Sequence, residues 1–107
     1  MAHYDLEVVR QLAKSESIEY QGRRVSVDIA ILGYALSDVA KCISQLTASE
    51  FHKTHDYGGG PVQDAYITKY ERPGSEDGEM DDLYVKFALL DDCLLISLAS
   101  FYLPRFG

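Results

Sequence analysis

Residues 50–66 read EFHKTHDYGGGPVQDAY, and they gather Lys53, His52, His55, Tyr57, Gln63 and Tyr66 around three consecutive glycines. Three readings compete: a metal site, a phosphate-handling site, or a connector between a helix and a strand. His52, His55 and Asp56 offer metal-type donors, and H-x-x-H is close to the spacing of one helical turn. A zinc site wants three or four protein ligands, and the remaining histidine is His3, near the terminus. The histidines therefore read better as a solvated helix end, and no metal is expected. A glycine-rich phosphate cradle normally opens a helix, whose N–H groups and dipole hold the anion. Gly58-Gly59-Gly60 instead follows an expected helix and precedes an expected strand, so it reads as a connector that admits substrate.

A wider set of residues suits a different chemistry. Tyr84 and Lys86 lie two apart in a strand-like run, which puts them on one face. Gln63 begins another such run, and Lys53 stands just before the glycine loop. An amide, a phenol and two ammonium groups on one face fit phosphodiester cleavage without a metal. That reaction needs a base for the 2′-hydroxyl, an acid for the leaving oxygen and cations for the extra charge on phosphorus. Neither lysine nor tyrosine is an obvious base at neutral pH, so His52 and His55 are the candidates for proton transfer. The plain alternative is that Tyr84 and Lys86 are ordinary residues of a solvated strand face.

The elements that must position these groups follow from hydrophobic periodicity. Leu6, Val9, Leu12 and Ala13 share a helical face, and Ser15, Ser17 and Gly22 end that helix. RRVSVDIAI predicts a short strand near 23–26 followed by a helix to about residue 33, stopped by Gly33. Ser37 is the expected cap of a helix whose inner face holds Val39, Ala40, Ile43 and Leu46. Thr47 and Glu50 match a capping box, which predicts one more helical segment over 48–55. VQDAYITKYER, DLYVKFALL and CLLISLASF then read as three strands, the last two joined by a two-residue turn at Asp91-Asp92. The expected fold is α+β, with N-terminal helices packed on one face of an antiparallel β-sheet formed mainly by the C-terminal half. The other face stays free.

Composition sets outer limits. A chain of 107 residues, 47% hydrophobic and 25% charged, reads as a single domain over 1–107. No apolar run approaches the roughly 18 residues needed to span a bilayer, and MAHYDLEVVR lacks the apolar region of a secretory signal. A cytoplasmic protein is expected, with Cys42 and Cys93 as buried free thiols in aliphatic runs. The formal net charge is −7. Residues 74–92 hold seven acidic residues and one lysine, a net of −6, so the acidity describes one hairpin and its flanks. An acidic lobe repels phosphate backbones without forbidding a phosphate site elsewhere.

The order of these features resembles the MqsR family of bacterial toxins, the mRNA interferase half of a type II toxin–antitoxin pair. The resemblance runs through VVRQL, the block GYALSDVAKCISQLTASEFHK, QDAY, LYVKF and DDCLLIS at nearly unchanged spacing. It implies a RelE-like fold, metal-independent cleavage of RNA with no cofactor, and a separate antitoxin protein as partner. It also implies an active-site lysine at Lys53, a glutamine at Gln63, a tyrosine at Tyr84 and a strand lysine at Lys86. Two departures stand out. Ser97-Leu98-Ala99 lacks a basic residue that the resemblance leads one to expect, with Lys86 or Arg105 as substitutes, and the chain is acidic. Both departures leave room for a second reading, a toxin-fold binding module without cleavage. The acidic 74–82 loop is a candidate surface for a basic partner.

Overall fold

The structure is a computed structural model that describes residues 1–104. Helix α1 spans Leu6–Lys14, with the Asp5 carboxylate accepting from the Glu7 N–H at 2.9 Å. Val9 and Ala13 are its buried residues, as the periodicity requires. The expected strand at 23–26 is not there. Strand β1 comes earlier, at Ile18–Tyr20, and helix α2 occupies Arg23–Leu32. Val25, Val27 and Ile29 alternate like a strand, yet Val25 and Ile29 are buried while Val27 is 40% exposed. That is the signature of a helical face, where i and i+4 meet and i+2 points away. Gly33 ends α2 in the left-handed conformation at φ 79°, as expected of a glycine stop.

Helix α3 spans Leu36–Ser44. Its cap differs from the expected one: the Asp38 carboxylate accepts from the Ala35 N–H at 2.9 Å, and Ser37 is already inside the helix. The Thr47–Glu50 box does form, with the Thr47 N–H on Glu50 Oε1 at 2.9 Å. It closes only one 3₁₀ turn, Ala48–Glu50, and the chain then becomes strand β2 at Phe51–His55. The expected helix over 48–55 is thus corrected. Glu50 explains why: its second oxygen accepts from Thr68 Oγ1 at 2.6 Å, which ties the turn to the sheet.

Strands β3 (Gln63–Glu71), β4 (Met80–Leu90) and β5 (Leu95–Tyr102) complete a five-stranded sheet in the order β1-β5-β4-β3-β2. β2 to β5 form an antiparallel meander, and β1 adds to β5 in parallel. The fold is α+β, three N-terminal helices packed against a sheet drawn mostly from the C-terminal half. The β4–β5 connection runs over Asp91–Leu94, longer than the expected pair, and Asp91, Asp92 and Cys93 all take positive φ. Aspartate tolerates that conformation better than most residues. Cys93 is consequently exposed, contrary to expectation, while Cys42 is buried in the core as foreseen.

The core forms where Val9, Val25, Ile29, Val39 and Ile43 of the helices meet Tyr66, Val85, Phe87, Ile96 and Phe101 of the sheet. Two buried carboxylates pin its margins. Asp81 accepts from the Tyr34 hydroxyl at 2.8 Å and from Arg72 Nε at 3.0 Å. Asp64 is fully buried and accepts from the His3 N–H at 3.0 Å, the Tyr4 N–H at 2.8 Å and Thr54 Oγ1 at 2.7 Å. Asp64→Ala strands two backbone donors and a hydroxyl, and is expected to cost roughly 2–4 kcal/mol in urea-induced unfolding. Asp5→Ala, at an exposed helix cap, should cost about 1 kcal/mol.

Candidate active site

One extra residue in β2 decides which side chains reach the open face of the sheet. Phe51 pairs with Tyr66, but Lys53 pairs with Ala65, so two residues of β2 oppose one step of β3 and His52 is the inserted residue. Phe51 faces the core, where its ring meets Tyr66 edge-on at 5.6 Å. In a regular strand Lys53 and His55 would follow Phe51 inward. The bulge reverses the alternation, so Lys53 and His55 face outward and Thr54 turns in to bond Asp64.

The same face receives Gln63, Ala65 and Ile67 from β3 and Tyr84 and Lys86 from β4, since Asp64, Tyr66, Leu83, Val85 and Phe87 turn to the core side. Lys53, Ala65, Lys86 and Ser100 lie in one cross-strand row. The two lysines are two strands apart, about 10 Å between backbones, and both side chains can bend over the small Ala65. Ala65 is fully buried although it is on this face, so its larger neighbours close over it.

Tyr84 Oη lies 3.1 Å from His55 Nε2, and Tyr57 Oη lies 3.2 Å from His55 Nδ1. The Tyr57 ring stacks on His55 at 5.8 Å and carries Lys86 Nζ 5.7 Å from its centroid. His52 meets the Tyr84 ring edge-on at 6.2 Å. Gln63 is nearly buried, and its Nε2 donates to Gln21 Oε1 at 3.3 Å, which leaves its own carbonyl as an acceptor. Lys53, Gln63, Tyr84, Lys86, His52 and His55 therefore share one face. Ala99 is the extra residue of a second bulge, in β5, since Lys86 pairs with Ser100 and Phe87 with Leu98. Arg105 lies outside the described residues.

Burial lowers the His55 pKa below its ordinary value, and Lys86, Lys53 and His52 push it the same way. His55 is therefore neutral at pH 7, with one N–H. One of its two phenol neighbours donates to the bare nitrogen and the other accepts from the N–H. Burial, with Tyr102 and Tyr57 nearby, raises the Tyr84 pKa, which keeps the phenol protonated as a donor. A neutral base and a protonated acid at hydrogen-bond distance, flanked by two lysines, can exchange protons next to an anion. Among the described residues no group of three or more His, Cys, Asp or Glu gathers as metal ligands.

Sequence reasoning did not single out Tyr57 as a partner of His55, nor Gln21 or Tyr102. Tyr57 carried one usable signal, its i, i+2 spacing from His55. Gln21 follows β1 and Tyr102 ends β5, and they carried none.

Fold and site together define a small α+β protein with helices behind a sheet and a face of lysine, histidine and tyrosine in front. The family model described as "Motility quorum-sensing regulator, toxin of MqsA" matches residues 1–100, and the chain belongs to this MqsR toxin family. It is accordingly the toxin of a toxin–antitoxin pair, with an antitoxin as partner. No curated protein matches the chain. Among the described residues no helix is long and apolar enough to cross a membrane.

The His55 environment has a direct readout. In an NMR pH titration the His55 ring should titrate below 6.5, and Lys86→Gln should move its midpoint upward, toward the ordinary value. Folding favours the neutral ring, so its contribution to stability is complete above pH 6.5 and is lost as pH falls through the lowered folded-state pKa.

Proposed function

We propose that this toxin is a metal-independent endoribonuclease, an mRNA interferase acting as a single RelE-like domain in the cytoplasm, and that the open sheet face is its active site. The observation that carries the reading is the Tyr84–His55 hydrogen bond set between Lys53 and Lys86. RNA brings its own nucleophile. Once substrate is seated, its 2′-hydroxyl replaces the Tyr84 hydroxyl at His55 Nε2 and gives up its proton there. The 2′-oxygen attacks phosphorus, the bond to the 5′-oxygen breaks, and Tyr84 supplies the proton that the leaving oxygen needs. The products are a 2′,3′-cyclic phosphate and a 5′-hydroxyl end. Imidazolium and phenolate then regain contact and exchange the proton, which restores both groups.

Lys53 and Lys86 take up the charge that grows on the non-bridging oxygens. Gln63 Nε2 gives one hydrogen to Gln21, and its second hydrogen orients a phosphate oxygen or the 2′-oxygen. His52 lines the approach and serves as a second proton acceptor near Tyr84.

The purified protein should cleave a long single-stranded RNA in the presence of a chelator. Lys53→Ala should slow cleavage by about 10²–10³-fold and His55→Ala by about 10²–10⁴-fold. Cleavage that survives both substitutions comes from a contaminant, and an inert wild type supports a binding module without catalysis. The neutral imidazole is the active form, so log rate should rise with unit slope at low pH and bend toward a plateau with its midpoint below pH 6.5, a bend that His55→Ala removes.

For the antitoxin, the exposed Glu76 and Asp77 are the charges of the acidic loop with no ion pair among the described residues, because Glu79 and Asp81 are engaged by Arg72 and Asp82 by Lys69. Charge reversal at Glu76 and Asp77 should weaken the complex in calorimetry and make the residual affinity less salt-sensitive.

A further inference from the structure

We propose that the cavity between α2 and the outer end of β5 is a second nucleotide subsite, which holds a base and phosphate of single-stranded RNA next to the nucleotide being cut. The inference rests on the proposed function above and gives that site a direction along the sheet. The cavity has a volume of about 670 Å³ and is lined by Arg24, Asp28, Ala99, Ser100, Tyr102 and Leu103. That is ample for one nucleotide, given the size range of small-molecule sites.

The cavity continues the active face. Tyr102 is in register with Tyr84, and the two rings lie 5.2 Å apart with their planes 30° from parallel. Ser100 is in register with Lys86. The bulge at Ala99 places a small residue at the cavity wall where a longer side chain would fill it. A strand of RNA whose phosphate sits over Lys53 and Lys86 therefore meets Tyr84, then Tyr102, then the cavity.

The lining supplies the three contacts that a flanking nucleotide needs. Tyr102, 38% exposed, offers an aromatic face on which a base can stack. The Arg24 side chain is 90% exposed, and its Nε lies 3.4 Å from the Asp28 carboxylate. That contact uses one N–H of the guanidinium, and its further N–H donors suit a phosphate. Asp28 accepts from an N–H on a base edge and repels a second phosphate. Stacking, one cation and one acceptor fit an unpaired nucleotide, whereas a duplex hides its base faces.

The test uses the full chain and a short single-stranded oligonucleotide with 2′-fluoro sugars, which binds but lacks the nucleophile. Affinity is read by fluorescence anisotropy across a salt series. Tyr102→Ala should weaken binding about 5- to 100-fold while Tyr102→Phe stays within about twofold. Arg24→Gln should weaken it several-fold and lower the salt slope by about 1, with Arg23→Gln, outside the cavity, as the control. An abasic site walked along the oligonucleotide should harm wild-type binding at one flanking position and have no further effect there in Tyr102→Ala. If Lys53→Ala weakens binding and Tyr102→Ala and Arg24→Gln do not, the subsite is wrong and the active-site reading stands. If the wild type binds no RNA, both fall. If the two variants weaken only antitoxin binding, the cavity is a protein-contact surface and the nucleotide subsite is overturned.

Discussion

A single inserted residue in a five-residue edge strand determines the character of this molecule's open face. Phe51 must face the core to pack on Tyr66, and Thr54 must face inward to bond Asp64. Those two demands are three residues apart, an odd number, and a regular strand cannot meet both because its side chains alternate with period two. The bulge at His52 absorbs the mismatch, and Lys53 and His55 are sent outward as a result. The carboxylate that holds Thr54 also holds the backbone of His3 and Tyr4, so the edge strand and the N-terminal segment are fixed by one buried charge. The Tyr84–His55 pair on one face thus depends on a carboxylate beneath the other.

Charge is divided by role. The chain carries −7 overall, and five of its seventeen acidic residues serve its architecture: Asp5 and Asp38 on helix starts, Glu50 on the turn into β2, Asp64 and Asp81 on buried donors. Lys53 and Lys86 share the open face with two histidines and with Tyr57, Tyr84 and Tyr102. Exposed charges fade within about 8 Å at physiological ionic strength; of the acidic hairpin, Asp82 stands on this face two residues from Tyr84 and is paired with Lys69 at 3.6 Å, while Glu76 and Asp77 lie out in the turn. The local arrangement, burial with Lys86, Lys53 and His52 nearby, favours the neutral form of His55.

Much of this was legible in the residues. The α1 and α3 faces, the meander of β3 to β5, the α+β class and the shared face of Tyr84 and Lys86 all follow from periods of 3.6 and 2. The misreadings occurred where a local signal served more than one structure. Thr47 and Glu50 did form their box, but Glu50 also bonds Thr68, and the sheet claimed the residues after the first turn. Val25, Val27 and Ile29 fit either period, and only the packing of α2 chose between them. The aliphatic run around Cys93 suggested burial, but three consecutive positive φ angles carry it through an exposed turn.

The linear chain therefore determined which groups were available, an acid, two cations, an amide and two imidazoles, and which strands would carry most of them. Their encounter was settled only in three dimensions. A bulge depends on what each neighbouring residue must pack against across the sheet, and a hydrogen bond between residues 55 and 84 depends on a register that no local pattern records. The same is true of Tyr57 closing on His55, of Gln21 reaching Gln63, and of Tyr102 standing beside Tyr84. Such contacts follow from strand order and pleat, which the core imposes by burying Tyr66, Val85 and Phe101 together.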